Sequence, residues 1–169
     1  MKVFGLAGWS GSGKTTLMVK LLKALIDRGF KVSTIKHTHH SVDVDRPGKD
    51  SFEHRDAGAH EVMLTGAKRW ALMKELRGDT EPEMCTLLKK MEAVDIVLVE
   101  GFKKYPHPKL EIYRPEVGKP LIAIKDKSVI AVATDVKALP NTAVPLLDID
   151  NVTEIADFLV THLGFLKSK

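Results

Sequence analysis

Gly8, Gly13, Lys14 and Thr15 stand in the order G-x-x-x-x-G-K-T within the stretch GWSGSGKTT. That spacing describes a grip for phosphate. Glycines let a backbone curl so that successive N–H groups face one anion, and the start of the following helix adds its positive end. Lys14 would bring a mobile ammonium to β- and γ-phosphates, and Thr15 a hydroxyl ligand for Mg2+. The plain alternative is a glycine-rich turn ahead of an ordinary helix. The pattern arises by chance in roughly 1% of chains of this composition, before the flanking strand and helix are weighed.

A metal held there needs a carboxylate from a neighbouring strand. DIVLVEG, residues 95–101, offers Asp95 and Glu100. Ligands of open α/β sheets bind beyond the carboxyl ends of strands. Asp95 stands at the wrong end, about 16 Å away at about 3.3 Å per residue. Glu100 is therefore the Walker-B-type acid, and Lys14 and Glu100 are the candidate catalytic pair. Asp95 is read as a cap where the strand begins, and Gly101 as a place where backbone approaches the γ-phosphate.

KHTHHSVDVD carries His37, His39, His40, Asp43 and Asp45 directly after a strand ending at Lys36. Three readings stand side by side. The loop is a transition-metal site, because imidazole and carboxylate are suitable ligands. Or it senses nucleotide, with Asp43 or Asp45 reaching Mg2+ and Lys36 or a histidine reaching phosphate. Or it is a solvated polar loop. Arg55, further along this polar surface, pairs with phosphate or with a carboxylate.

The N-K-x-D element that reads guanine in many GTPases is absent. VIAVATD, residues 129–135, supplies Thr134 and Asp135 at the end of a buried strand. A carboxylate there would accept two hydrogen bonds from guanine N1–H and N2–H2, which adenine cannot donate. A turn or cap role for Asp135 is the alternative.

These residues need elements to hold them. Lys2–Ala7 reads as a short buried strand. Thr15 to Arg28 places Leu17, Met18, Leu21, Leu22, Leu25 and Ile26 on one helical face, stopped by Gly29. Lys31–Lys36 returns as a strand, which implies a parallel pair with a right-handed crossover. A helix over 51–57 capped by Asp50, a hairpin of Glu61–Thr65 and Arg69–Lys74, and a helix over Glu81–Met91 follow. Strands are expected at 95–101, 110–113, 129–133 and 144–147. Asn151 and Glu154 make a capping box for a last helix ending near Leu163. The alternation predicts a three-layer α/β P-loop NTPase fold with a mainly parallel sheet and a small β-hairpin excursion, one domain over 1–169.

Composition sets the bounds. A formal net charge of +4 is spread along the chain, too diffuse for DNA but suited to small anions. Cys85 is the single cysteine, which excludes an internal disulfide and a cysteine-based zinc site. No apolar run approaches the ~20 residues of a membrane span, and the N-terminus is too short for a signal peptide. A cytoplasmic protein with no membrane contact is expected.

With these pieces in place, the chain resembles the MobB family of molybdopterin-guanine dinucleotide biosynthesis adaptor proteins. The resemblance rests on GWSGSGKTTL, IKHTHHSVDVDRPGKDSFEHRDAGA, RWALM, DIVLVEGFK, VIAVATD and LLDIDNVTEIADF, spread from end to end. It implies a homodimeric GTP-binding protein with weak GTPase activity. Such a protein assists MobA, the molybdenum cofactor guanylyltransferase, which attaches GMP to molybdopterin. It also implies that Gly11, Gly13, Lys14, Thr15 and Thr16 carry the GTP phosphates, with Gly8, Ser10 and Ser12 of the same loop. Lys36, Gly101, Thr134 and Asp135 complete the expected nucleotide site, and Thr15, Asp45 and Glu100 the Mg2+ site. The basic segment from Lys103 to Lys109 would touch the anionic pterin or the partner, or be a solvated surface. Two other classes stay open. A small-metabolite kinase would need an arginine-rich lid, and Arg28, Arg46, Arg55, Arg69, Arg77 and Arg114 form no cluster in the sequence. A metallochaperone GTPase would use the histidine loop.

Overall fold

The computed structural model describes residues 1–38, 42–102 and 104–165. In chain order its elements are β1 (Lys2–Ala7), α1 (Lys14–Ile26), β2 (Val32–Lys36), α2 (Asp50–Asp56), β3 (Glu61–Thr65), β4 (Trp70–Lys74), α3 (Met84–Lys90), β5 (Ile96–Glu100), β6 (Lys109–Tyr113), a 3-10 turn at Pro115–Val117, β7 (Val129–Thr134), β8 (Leu146–Asp148) and α4 (Val152–His162). They fall into two compact units, Met1–His37 with Glu92–Lys169, and Thr38–Met91.

The first unit is built on a six-stranded sheet in the order β2-β5-β1-β6-β7-β8. Every pairing in it is parallel. Parallel strands are covered on both faces and so read as continuous apolar runs. Ile96, Val97, Leu98 and Val99 are all fully buried, as such a run requires. Asp95 caps the start of β5, its Oδ2 accepting the Lys31 N–H at 2.8 Å.

One face of the sheet is packed by α1 and α4. Phe4, Leu6, Leu98 and Ile112 meet Leu21 and Leu25 of α1 and Ile155 and Leu159 of α4 in one cluster. The α1 stripe is narrower than its sequence implies. Leu17, Met18, Leu21 and Leu25 are buried, while Ile26 at the helix end is exposed. Gly29 closes the helix as expected, with φ of 89° and its N–H donating to Ile26 O at 2.9 Å. At α4 the Asn151 cap forms, and the Glu154 carboxylate holds the Asn151 side chain rather than its main-chain N–H. Asn151 Oδ1 accepts the Glu154 N–H, and Asn151 Nδ2 donates to Glu154 Oε2, each at 3.1 Å.

The other face of β6 carries charge. Strand alternation turns Lys109 and Glu111 away from Leu110 and Ile112. Lys109 Nζ donates to Tyr105 O and Ser128 Oγ at 2.5 Å each, and lies 3.4 Å from Asp126 Oδ2. Glu111 accepts the Ile122 and Ala123 N–H groups, both at 2.8 Å. Burial raises the Glu111 carboxyl, with those two N–H groups opposing. This corrects the reading of 103–109 as an open basic segment at one end. Lys109 is 1% exposed and committed to the interior, while Lys104 is exposed and Lys103 lies outside the described residues.

The second unit joins α2, the antiparallel hairpin β3–β4 and α3. Arg55 is its hub. It reaches Asp45 through Nη2 at 2.7 Å and Nε at 3.3 Å, and Glu75 through Nη1 at 2.9 Å. Its guanidinium also lies 5.2 Å from the Phe52 ring centre. Two helix starts differ from the sequence reading. Lys49 is the N-cap of α2 and Asp50 its first residue, where the carboxylate still favours the helix dipole. Helix α3 begins at Met84 rather than Glu81, because Pro82 disfavours helical backbone at the residue before it.

His107 yields a test. It is 8% exposed, and its pKa is lowered from 6.5 to about 4 by burial, with the Lys109 charge adding to the effect. As pH falls below 6.5 the unfolded chain takes up this proton and the folded chain does not. Stability is therefore whole above that window and declines through it, by roughly 3 kcal/mol in total. Urea midpoints of His107→Leu measured on either side of the window should show a clearly flatter acid dependence than wild type.

Candidate functional site

The loop between β1 and α1 has the backbone that its glycines permit. Gly8, Gly11 and Gly13 adopt φ of 149°, 84° and 94°. Gly13 is the N-cap of α1 in left-handed geometry, and it has no side chain with which to satisfy the first turn. The N–H groups at the helix start are thus left for an anion. Lys14 Nζ donates to Trp9 O at 2.8 Å, so its ammonium folds back over the loop. Ser12 is 1% exposed, and its Oγ has no hydrogen-bond partner among the described residues. Each of these features fits a bound phosphate chain.

The sheet brings the other predicted residues to the same edge. Glu100 ends β5, in register with Leu6 of β1 and Lys36 of β2. Thr134 ends β7, opposite Tyr113 of β6 and Asp148 of β8. All six strands run the same way, so Lys36, Glu100, Gly101, Thr134 and Asp135 share the carboxyl edge with the Gly8–Thr16 loop. Thr134 is 2% exposed, and its Oγ1 has no hydrogen-bond partner among the described residues.

Gly101 has a reason within the protein itself. Its φ is 98°, and a Cβ there would lie 2.8 Å from both Cβ and O of His37. The missing side chain admits the main chain leaving β2, whose His37 N–H donates to Glu100 O at 2.8 Å. His37 then packs its ring on Phe102, centres 4.5 Å apart, and Phe102 holds a φ of 45° while buried. His39 and His40 lie outside the described residues. Asp45 belongs to the second unit, where the Arg55 guanidinium holds its carboxyl below the usual carboxylate range. Among the described residues no group of three or more His, Cys, Asp or Glu is placed to hold a metal ion.

Arg114 is the residue that sequence reasoning passed over. Its Nη1 donates to Asp135 Oδ2 at 2.5 Å, and its Nε lies 3.9 Å from where a Cβ on Gly13 would be. The signal was its position directly after KLEIY, but that matters only once β6 is known to lie beside β1.

Gly8 tests the loop's backbone. A Cβ there would lie 2.5 Å from Ile112 O and 2.7 Å from Ser12 Oγ, whereas one at Gly11 would meet nothing within 4 Å. Gly8→Ala should cost about 1–3 kcal/mol beyond the conformational strain that Gly11→Ala also carries. Thermal melting of the two variants, with and without inorganic triphosphate, should show a lower midpoint for Gly8→Ala than for Gly11→Ala, and a lost anion shift only for Gly8→Ala.

The parallel sheet, the glycine-built loop and the lysine beside it define a P-loop protein. The profile of the family described as "MobB: Molybdopterin guanine dinucleotide synthesis protein B" matches residues 3–135. The chain belongs to the MobB family. It is 46% identical over 157 residues to the "Molybdopterin-guanine dinucleotide biosynthesis adapter protein" of Escherichia coli (strain K12), covering 91% of this chain and 89% of that one. The protein of the same description from Haemophilus influenzae is 43% identical over 161 residues, covering 95% and 89%. Among solved structures, the crystal structure of Bacillus subtilis MobB matches over 100% of both chains with a TM-score of 0.74 and 24% identity, a likeness of fold. No described helix is long and apolar enough to cross a membrane.

Proposed function

We propose that this chain is a GTP-binding adaptor that assists MobA in attaching GMP to molybdopterin, the step that makes the guanine dinucleotide form of the molybdenum cofactor. The observation that carries the reading is the phosphate loop: three glycines at positive φ, an α1 start with no side-chain cap, and Lys14 folded across the turn. The descriptions of the relatives supply the pathway.

In this reading the N–H groups of Gly11, Gly13, Lys14, Thr15 and Thr16 hold the β- and γ-phosphates. Gly8 gives the loop its turn, and Ser10 and Ser12 line it. Lys14 neutralises charge, Thr15 supplies a hydroxyl to Mg2+, and Glu100 acts on the metal through water. Asp45 is the further carboxylate proposed for Mg2+, and it is paired here with Arg55. Lys36 and Gly101 border the γ-phosphate, and Thr134 and Asp135 read guanine. No water-positioning glutamine stands out in the sequence, so intrinsic hydrolysis is slow. The protein works in the cytoplasm, where GTP and MobA are.

Calorimetry with GTP and Mg2+ should show saturable binding, with ATP weaker, and Lys14→Ala should lower GTP affinity by at least ~100-fold. GMP transfer to molybdopterin by MobA at limiting GTP should rise when this protein is added and not when Lys14→Ala replaces it. Rapid phosphorylation of a small metabolite would instead establish a kinase. Stoichiometric Ni2+ or Zn2+ binding lost with His37, His39 and His40 would establish a metallochaperone.

A homodimer completes the reading. Along the hairpin, Met63 faces Leu72 and Thr65 faces Trp70 on one side. Met63, Trp70 and Leu72 are 61%, 62% and 43% exposed. A two-stranded hairpin is marginal in water alone, and an apolar side of this kind invites a second copy. Light scattering should report a dimer for the wild type. Trp70→Ser with Leu72→Ser should weaken it by about 10-fold or more in dissociation constant.

A further inference from the structure

The Arg114 guanidinium stands between the two halves of the expected nucleotide site. Tyr113 and Thr134 are paired in register, so the residues that follow them leave neighbouring strands side by side. Arg114 Nη1 meets Asp135 Oδ2 at 2.5 Å, with the two side chains 28% and 32% exposed. On its other side, Nε lies 3.9 Å from the position of a Cβ on Gly13, the residue that opens α1.

The segment that carries Arg114 is itself tied to the phosphate loop. Trp9, the second residue of that loop, donates its Nε1–H to Pro120 O at 2.7 Å. The intervening chain turns through Val117 N to Arg114 O at 3.1 Å. Glu111, buried three residues before Arg114, pins Ile122 and Ala123 just beyond. The main chain that carries Arg114 is therefore tied to the loop, and its guanidinium holds a carboxylate in turn.

We propose that Arg114 is a positioning residue for guanine selection. It holds the Asp135 carboxylate in one orientation and at one distance from the phosphate loop. This rests on reading Asp135 as the carboxylate that accepts from guanine. Guanine presents N1–H and N2–H2 side by side, and both are satisfied only if two carboxylate oxygens are held coplanar with the base. A carboxylate oxygen that accepts one N–H from arginine keeps a second lone pair for the base. The phosphate grip sets where the base arrives, so a carboxylate tied to that grip through Arg114 meets it in register. An untied Asp135 would spend much of its time in other rotamers.

The test is a calorimetric comparison in the presence of Mg2+ of GTP, inosine triphosphate and inorganic triphosphate. Inosine lacks the N2 amino group, and triphosphate lacks the base. In the intact protein, Arg114→Ala should reduce the GTP-to-inosine-triphosphate affinity ratio by about 10-fold while leaving triphosphate affinity unchanged. Arg114→Lys should restore part of the ratio. If Arg114→Ala does not fold, Arg114→Gln serves with the same expected loss. Equal weakening of all three ligands would make Arg114 a phosphate ligand and overturn the proposal, as would an unchanged ratio. Asp135→Asn separates the failures. Where it lowers the ratio and Arg114→Ala does not, base reading stands and positioning falls. Where neither lowers it, Asp135 is no reader, and the proposal falls with it.

Discussion

The first turn of an α-helix leaves N–H groups without partners, and most helices recruit a side chain at the N-cap to answer them. Helix α1 has glycine there, at φ 94° and ψ 14°. The donors stay open, and the loop before them is bent by two further positive-φ glycines so that its own backbone turns the same way. Helix α4, eleven elements on but built from the same chemistry, shows the contrast: the Asn151 side chain accepts the Glu154 N–H of its first turn and is itself held by the Glu154 carboxylate. One helix is finished by its own side chains, and the other waits for an anion. Everything assigned to the site depends on that unmet demand.

An open helix start is useful only if other groups gather round it. The parallel sheet does this without further design. Because all six strands run alike, every loop that follows a strand leaves from the same edge as the phosphate loop. Close packing then sharpens the arrangement. Gly8 lets the end of β6 approach, and Gly101 lets the chain after β2 approach. Lys109 and Glu111 of β6 would be costly inside a protein unless engaged, and both are, by main-chain and side-chain partners in the segments before and after β6.

The second unit is organised on another principle. Its buried apolar set is small, Val62 and Met84 among the described residues, and its centre is a guanidinium shared by Asp45, Glu75 and the Phe52 ring. Polar hubs of this kind hold a loop-rich segment in one geometry while leaving large side chains outside. Met63, Trp70 and Leu72 are among those left outside. An adaptor must offer surface to another chain, and this unit has apolar surface to offer.

The sequence alone determined the glycine-built loop between β1 and α1, because that motif is local: Gly8, Gly13, Lys14 and Thr15 lie within one turn of backbone. It also determined the strand and helix periods, the hairpin, the Asn151 cap and the placing of Glu100 at the carboxyl edge with Asp95 at the strand start, all consequences of near neighbours. The MobB family was legible for the same reason, in blocks of contiguous residues. What only the tertiary structure decided depends on which strands lie side by side. The order β5-β1-β6-β7 puts Arg114 against Asp135 and near Gly13, though 21 residues part the ion pair along the chain. The same packing turns Lys109 from a surface cation into a buried one, since its side of β6 is set by the strand's pleat and neighbours. Spacing in sequence carries no record of those pairings, because they are made through space by hydrogen bonds and burial between segments far apart in the chain.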